Sequence, residues 1–218
     1  MNIVDTFFMY GPLLLKGTLA TFVLWLFCSL LSFMTGFITG ILRSHALRIK
    51  GLSRVLDIVT FIFRAVPLYV QLLFAYFVIP DLLAFNLSAW WAGILALGFC
   101  SGAYTSEIVR SGINAVPQGQ WEASFVLGYT ALQQLRFIIL PQVMRTILPV
   151  LLNEYNMVLK STAILASIGT LELTKIGMNI ATRSLDPFPI YTVIALIYIL
   201  LTSIFIWCTK IIERRFIA

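Results

Sequence analysis

Three charged side chains interrupt segments of the chain that are otherwise largely apolar, namely Arg64, Glu154 and Lys160. A charge at the centre of a bilayer costs about 2.5–3.5 kcal/mol on insertion scales, so each should face other protein groups or a water-filled cavity. A zwitterionic solute such as an amino acid needs a cation for its carboxylate and an anion for its ammonium group. Arg64 or Lys160 could supply the cation, and Glu154 the anion. The alternative interpretation is that these residues form structural ion pairs between helices.

The polar residues around Glu154 follow two stripes of a predicted helix. Asn153 and Lys160 are seven residues apart, and so are Glu154 and Ser161. Because seven residues make almost two helical turns, each pair shares a face. The candidate substrate-pathway residues are therefore Arg64, Asn153, Glu154, Lys160 and Ser161.

Familiar catalytic and metal-binding patterns are absent from the sequence. There is no Walker A phosphate loop, no His-Glu-x-x-His pair and no Gly-x-Ser-x-Gly elbow. Cys28, Cys100 and Cys208 are widely separated in apolar segments, which predicts neither a disulfide framework nor a metal site. The single histidine, His45, lies in a basic turn and is expected at the surface. These observations disfavour an enzyme and predict that the chain itself binds neither ATP nor a metal.

The composition indicates which elements position these residues. The chain has 218 residues, of which 60% are hydrophobic and 11% charged, and its mean hydropathy is +0.96. A soluble domain carries about a quarter charged residues, whereas a membrane-spanning helix needs roughly 20 apolar ones. We therefore expect an all-α integral membrane protein with one domain over residues 1–218. Its five predicted transmembrane helices lie at about 17–42, 54–79, 88–111, 142–168 and 189–209.

Local features refine these spans. Pro67 predicts a kink or break near Arg64 in the second span, because proline removes a backbone donor. Gly36 and Gly40 allow another helix to approach the first span, either within this chain or from another subunit. The fifth span has few distinguishing residues, and we expect it to pack towards lipid.

Two ion pairs are expected near the span ends. Glu107 and Arg110 are three residues apart and can pair on one helix face. Asp57 lies near a basic edge and should pair with a nearby arginine.

The basic residues predict an orientation. They cluster at about 43–54 and at about 210–215, and basic loops stay in the cytoplasm. The N-terminus is then outside, the C-terminus is cytoplasmic, and the loop at about 112–141 is cytoplasmic. Residues 5–16 are expected as an amphipathic segment at the outer surface. Since no basic leader precedes the first apolar stretch, we expect no cleavable signal peptide.

The loop at about 112–141 is long and relatively polar for so hydrophobic a chain. A short helix is predicted at 120–127, with Gly128 placed to stop it. A second short helix is predicted at 131–140, before Pro141, which suits the first turn of the next helix. Such a loop in a membrane protein indicates a docking partner.

Four stretches, in a fixed order, carry a family pattern. They are Phe63-Arg64-Ala65-Val66-Pro67-Leu68, the region 102–113, Glu122-Ala123-Ser124 with Gly128, and Asn156 to Lys160 followed by Ser161-Thr162. The chain resembles the membrane permease subunit of bacterial polar amino-acid ATP-binding-cassette (ABC) importers, of the histidine, arginine and glutamine group. The third stretch is similar to the EAA loop of these permeases. The chain departs from the family pattern at Ala65-Val66, Ser124, Ser161 and Ala163.

The resemblance implies a division of labour. The loop would form a coupling helix that docks on a cytoplasmic ABC ATPase dimer, which would bind the ATP and Mg. A second membrane subunit, the same or homologous, and an extracytoplasmic amino-acid-binding protein would complete the complex in the bacterial inner membrane. The residues implied in coupling are Gln120, Glu122, Ala123, Ser124 and Gly128. The chain would then translocate a polar amino acid by alternating access.

The alternative is a self-sufficient secondary transporter or channel for a small polar solute. Five spans without an internal inverted repeat argue against it. A purely structural scaffold is less attractive, because the fourth span is polar-striped and contains Pro149.

Overall fold

The computed structural model describes residues 3–217, and every regular element in that range is helical. The helices are α1 (Ile3–Arg43), α2 (Lys50–Ala65), α3 (Leu68–Leu83), α4 (Ala89–Asn114), α5 (Gln118–Val126), α6 (Ala131–Ile168), α7 (Leu173–Ser184) and α8 (Pro187–Ile217). Helices α1, α4, α6 and α8 are each long and apolar enough to cross a membrane. The broken pair of α2 and α3 raises the number of candidate spans from 4 to 5. The all-helical membrane class is confirmed, while the count of five spans and their orientation stay predictions, as does the single domain.

The break between α2 and α3 has a local cause. Val66 is extended, with φ −85° and ψ 131°, and α3 begins after Pro67. A proline disfavours the helical conformation of the residue before it and has no N–H to donate. The kink predicted near Arg64 is therefore a complete interruption of the helix.

Two helices are longer than the sequence predicts. Helix α1 begins at Ile3 and continues through Pro12, so residues 5–16 are not a separate surface segment. The predicted helix at 131–140 is likewise not separate, because it is the first part of α6. A π-helical segment, Gln134–Ile139, directly precedes Pro141. Its altered hydrogen-bond register lets the helix pass a residue that lacks a donor.

The described residues form two compact units, each built from three parts of the chain. The first unit comprises residues 3–30, 67–98 and 155–208, and the second comprises residues 31–66, 99–154 and 209–217. The core of the first unit brings together α1, α7 and α8, and its buried members are Leu14, Leu173, Ile180, Ala181, Ile190, Val193 and Ile194.

A fully buried carboxylate, that of Glu172, joins the three helices of this core. It accepts hydrogen bonds from the backbone N–H groups of Thr174 (2.9 Å) and Lys175 (2.8 Å), which caps α7. It also accepts from the hydroxyls of Tyr198 on α8 (3.2 Å) and Thr21 on α1 (3.4 Å). Burial raises the pKa of Glu172, against the opposing effect of these donors. Helix α8 contributes Tyr198 to this cluster, while most of its apolar surface is exposed, so the lipid-facing position expected for the fifth span stays a prediction.

In the second unit, α1 and α4 approach closely through glycines. A Cβ on Gly36 would lie 2.6 Å from the carbonyl oxygen of Gly102 and 2.5 Å from Cβ of Thr105. A Cβ on Gly102 would lie 2.5 Å from Oγ1 of Thr35. The predicted glycine contact of the first span is therefore made with α4 of the same chain.

Candidate functional sites: a charged pocket and an exposed loop helix

A pocket of about 440 Å³ lies within the second unit, where α2, α4 and α6 meet. Its volume falls within the range of about 300–1,000 Å³ that is usual for small-molecule sites. The pocket is lined by Phe61, Arg64, Ala65, Tyr104, Glu107, Ile108 and Glu154. The wall combines apolar surface with one cation and two carboxylates.

Arg64 shares its carboxylate partner with two other arginines. Its Nη1 lies 3.0 Å from Oε2 of Glu107. The same oxygen accepts from Nη2 of Arg43 at 3.2 Å and from Nε of Arg110 at 3.3 Å. The predicted Glu107–Arg110 pair is thus confirmed, within a larger cluster. One carboxylate partly neutralises three guanidinium groups, so Arg64 keeps positive charge to offer to another anion.

Arg43 extends this cluster to a second carboxylate, that of Asp57 on α2. Its side chain is 7% exposed, and its Nε lies 2.8 Å from Oδ1 of Asp57. Its Nη1 donates to Oγ of Ser106 at 3.0 Å, and Arg48 lies 3.7 Å from the second oxygen of Asp57. The expected pairing of Asp57 with a nearby arginine is confirmed. Across the whole cluster arginines outnumber carboxylates, which leaves excess positive charge beside the pocket.

Glu154 reaches the pocket from α6 with few polar partners. Its Oε1 accepts a hydrogen bond from Oγ of Ser101 at 2.8 Å. Within residues 3–217 this is the one hydrogen bond that its carboxylate makes. Arg64 and Glu154, the predicted cation and anion, therefore line one pocket with opposite charges.

The other predicted pathway residues are not part of this pocket wall. Asn153 and Lys160 are exposed, and Ser161 is half-buried. Seven residues of helix advance about 10 Å along the axis. A shared helical face therefore does not bring Ser161 to the same pocket as Glu154.

Sequence reasoning did not assign Tyr104, Phe61 or Glu107 to a binding site. The hydroxyl of Tyr104 donates to the carbonyl oxygen of Arg64 at 3.5 Å. Tyr104 and Glu107 are three residues apart on α4, as Phe61 and Arg64 are on α2. That spacing puts each pair on one helix face, and it is the signal that could have identified them.

Helix α5 is a separate short element on the loop after α4. It begins after Pro117, two residues before the predicted start, and it ends at Val126, with Gly128 closing its C-terminus as predicted. Gly128 has φ +81°. Its N–H donates to the carbonyl oxygen of Phe125, and the N–H of Tyr129 donates to the carbonyl oxygen of Ser124. This double closure is a Schellman motif, which favours glycine at the left-handed position.

The predicted coupling residues occupy different environments on α5. Gln120, Glu122 and Ala123 are exposed, whereas Ser124 is 2% exposed and donates to the carbonyl oxygen of Trp121. The end of the helix is apolar and open to solvent, with Phe125, Val126 and Leu127 exposed by 74%, 84% and 74%. A contiguous exposed apolar patch is typical of an interaction surface.

His45, in the loop between α1 and α2, connects α5 to the end of α4. The backbone N–H and the ring Nδ1 of His45 lie 3.2 Å and 2.7 Å from Oδ1 of Asn114, at the end of α4. The ring of His45 contacts Trp121 of α5 edge-on, with centroids 4.9 Å apart. His45 is exposed as predicted, yet it links the α1–α2 loop to α4 and α5. These contacts border a cavity of about 840 Å³, which Glu122 also lines.

Comparison with known proteins identifies relatives along almost the whole chain. The family described as binding-protein-dependent transport system inner membrane component matches residues 32–218. The arginine transport system permease protein ArtQ of Bacillus subtilis is 30% identical over 204 residues, covering 94% of this chain and 92% of that protein. The glutamine transport system permease protein GlnP of Escherichia coli K12 is 31% identical over 209 residues, covering 94% and 93%.

Solved structures agree with this relationship. A crystal structure of an amino acid ABC transporter with histidines is 33% identical, has a TM-score of 0.89 and covers 99% of both chains. An inward-facing MetNI methionine ABC transporter is 19% identical with a TM-score of 0.82 over 95% of this chain and 97% of that chain, which shows the shared fold.

These relatives confirm the resemblance drawn from the sequence motifs. They also identify the chain as a transport subunit of the inner membrane rather than an enzyme. The protein belongs to the family of binding-protein-dependent transport system inner membrane components.

Proposed function

We propose that this chain is the transmembrane subunit of an ATP-driven importer that carries a polar amino acid across the bacterial inner membrane by alternating access. Relatives named for arginine and glutamine transport support the substrate class. The observation that carries the proposal is α5, a short helix with an exposed apolar end on a loop of a protein whose sequence has no Walker A motif. The exposed apolar end of α5 would be buried by a separate protein, and that protein would supply the ATP hydrolysis that this chain lacks a motif for.

The proposed partner of α5 is a cytoplasmic ABC ATPase dimer, which binds the ATP and Mg. Phe125 and Val126 bury their exposed side chains in it, and Gln120, Glu122 and Ala123 form the adjoining contact face. Ser124 and Gly128 shape the helix rather than touch the partner, because Ser124 is buried and Gly128 closes the C-terminus. The expected orientation, with the N-terminus outside and the C-terminus cytoplasmic, places α5 on the ATPase side.

Two further partners complete the proposed complex. A second membrane subunit, identical or homologous, forms the pathway together with this chain. An extracytoplasmic amino-acid-binding protein delivers the solute, in keeping with the description of the family. ATP-driven movement of the ATPases then displaces α5. The contact of Trp121 with His45, which is hydrogen-bonded to Asn114, passes that displacement to the α1–α2 loop and to α4.

The pocket in the second unit is the proposed contact point for the amino acid. Arg64 pairs with the substrate carboxylate, since Glu107 is shared with Arg43 and Arg110 and can release Arg64 without being left unpaired. Glu154 pairs with the ammonium group, since its carboxylate is only partly hydrogen-bonded. A substrate bound in this way satisfies both charges of the zwitterion. Asn153, Lys160 and Ser161 are proposed as pathway residues elsewhere along α6.

The docking proposal is tested by reversing the charge of Glu122. Glu122→Lys should abolish co-purification of the ATPase, or uncouple ATP hydrolysis from uptake of labelled arginine or glutamine. Asp81→Lys is the matched control, because it reverses an exposed carboxylate outside the loop. ATP-dependent uptake that is unchanged in Glu122→Lys would defeat the assignment of α5 as the coupling helix.

A further inference from the structure

The carboxylate of Glu154 stands at the end of a chain of buried hydroxyls. Oγ of Ser101 donates to Oε1 of Glu154 at 2.8 Å, and Oγ of Ser32 donates to Oγ of Ser101 at 3.0 Å. Oγ1 of Thr105 lies 3.0 Å from Oγ of Ser32. Ser32 and Thr105 are 0% exposed, and Ser101 is 3% exposed. We call Thr105, Ser32 and Ser101 the hydroxyl relay.

The direction of the relay follows from its last member. A carboxylate only accepts hydrogen bonds, so the hydroxyl of Ser101 must be the donor to Glu154. Ser101 then accepts the proton of Ser32, and Ser32 in turn accepts that of Thr105. All three hydroxyl dipoles therefore point towards Glu154, and such chains strengthen one another in a low-dielectric interior.

The packing of α1 against α4 is what makes the relay possible. Because Gly36 and Gly102 lack side chains, the two backbones approach within reach of short hydroxyl groups. The arrangement differs from that of Thr35 and Thr39 on the same helix α1, whose hydroxyls donate to carbonyl oxygens four residues earlier. The relay hydroxyls bridge helices instead, and their bonds lead to a pocket residue.

We propose that Ser101 is a positioning and specificity-determining residue for the amino-acid ammonium group. The relay orients Glu154 and stabilises its charge by binding Oε1, which leaves Oε2 for the substrate. Ser101 thereby acts through Glu154 rather than by touching the solute. This inference rests on the proposed amino-acid pocket and adds the residues that set its selectivity.

The test is direct binding to the purified full-length protein. The probes are L-glutamine, L-arginine and the des-amino analogue of each, in which hydrogen replaces the ammonium group. The measured quantity is the ratio of the affinity for the amino acid to that for its analogue. A general loss of folding or pocket shape lowers both affinities, whereas loss of ammonium recognition lowers this ratio alone.

The relay predicts a graded series. Ser101→Ala should lower the ratio roughly tenfold, as expected for one hydrogen bond to a charged group. Ser101→Thr retains the hydroxyl and should restore most of the ratio. Ser32→Ala and Thr105→Val act from outside the pocket and should give progressively smaller losses. If Ser101→Ala does not fold, these three variants still decide the question.

Ser29→Ala is the matched control, because the buried Oγ of Ser29 has no hydrogen-bond partner among the described residues. It should leave the ratio unchanged. A ratio that collapses in Glu154→Gln but is unchanged in Ser101→Ala and Ser32→Ala would overturn the relay and keep the pocket. A ratio that is unchanged in Glu154→Gln would overturn the pocket assignment itself, and the relay inference with it.

Discussion

Two glutamates, one in each unit, show how the number of hydrogen-bond donors around a carboxylate distinguishes structure from function. Glu172 in the first unit is fully buried and accepts from two backbone N–H groups and two hydroxyls. Glu154 in the second unit is half-buried, accepts from one hydroxyl and lines a pocket. In the sequence, Glu154 lies inside the predicted fourth span and Glu172 lies just after it, and neither position shows how many donors surround the carboxylate.

The two carboxylates differ in how many of their hydrogen-bond acceptor sites are already occupied. Glu172 has its acceptor sites occupied by groups of its own unit, so it holds α1, α7 and α8 together. Glu154 has unused acceptor capacity beside a cavity and an arginine with excess charge. A buried carboxylate without enough partners is costly, so the second arrangement suits a group that binds a cation during transport.

The largest expected effect is on stability, at Glu172. Glu172→Ala removes the N-terminal cap of α7 and the carboxylate to which the hydroxyl of Tyr198 donates. It should therefore lower the free energy of unfolding by about 3 kcal/mol or more. Chemical unfolding in detergent, followed by circular dichroism, measures this. The affinity of the correctly folded fraction for arginine or glutamine should be that of the wild type. A stability equal to that of the wild type would remove the distinction between the two glutamates.

The converse effect is expected at Glu154. Glu154→Gln keeps the shape of the side chain but loses the charge, so amino-acid affinity should fall by roughly 10- to 100-fold, as for a charge-assisted hydrogen bond. Its unfolding free energy should change by less than about 1 kcal/mol. Titration calorimetry with arginine and glutamine gives the first quantity. A large loss of unfolding free energy with unchanged amino-acid affinity would show that Glu154, like Glu172, holds the fold together and does not bind the substrate.

A similar loss of affinity is expected at Arg64, which carries the opposite charge. Arg64→Met removes the proposed partner of the substrate carboxylate, while Arg43 and Arg110 still pair with Glu107. We expect roughly tenfold weaker binding of the amino acid and no change for its decarboxylated analogue. Equal losses for both compounds would show that Arg64 only shapes the pocket.

A smaller effect on stability is expected at Tyr198. Tyr198→Phe deletes the hydroxyl that lies 3.2 Å from Glu172 and 3.1 Å from Oγ1 of Thr174. The expected loss is about 1 kcal/mol, because the remaining donors still hold Glu172. The paired control is Tyr104→Phe in the pocket, whose hydroxyl bond is longer at 3.5 Å and which should cost less stability. A reversed order would contradict the role given to the Glu172 cluster.

The smallest effect is a pH dependence carried by Glu172. Burial raises its pKa in the folded state, so between the ordinary pKa near 4.3 and this raised value the unfolded chain loses its proton first. The unfolded state then binds fewer protons than the folded state, and stability falls as pH rises through this window. The difference in unfolding free energy between wild type and Glu172→Gln should therefore shrink from low to higher pH. A difference that grows with pH would mean that the four donors outweigh burial.

Much of the fold follows from local chemistry and was predictable. Pro67 predicts the break after α2, and Gly128 predicts the end of α5, because each acts on its own backbone. The length of α6 was not predictable, since the π-helical segment that passes Pro141 depends on alternative backbone hydrogen bonding. The contact of Tyr198 with Glu172 was also missed, because nothing near Tyr198 in sequence indicates a polar partner.

The candidate site divides in the same way. Arg64 and Glu154 stand out as charges in apolar segments, and the structure places both in one pocket. Arg43 and Glu107, which form an ion pair, are 64 residues apart in the sequence, and the hydrogen-bonded Ser32 and Ser101 are 69 residues apart. Such pairs come together only through the close packing of α1 and α4, which residue spacing does not reveal. Ser161 shares a helical face with Glu154, and Lys160 is another charge in an apolar segment, yet the pocket includes neither of them.

ATP-driven import by this chain can be measured as uptake of labelled arginine and glutamine by proteoliposomes that contain it, with and without its co-purified ATPase. We expect ATP-dependent accumulation when the ATPase and the binding protein are present, and none from the chain alone. Accumulation by the chain alone, driven by an ion gradient, would contradict this expectation and make this protein a self-sufficient transporter.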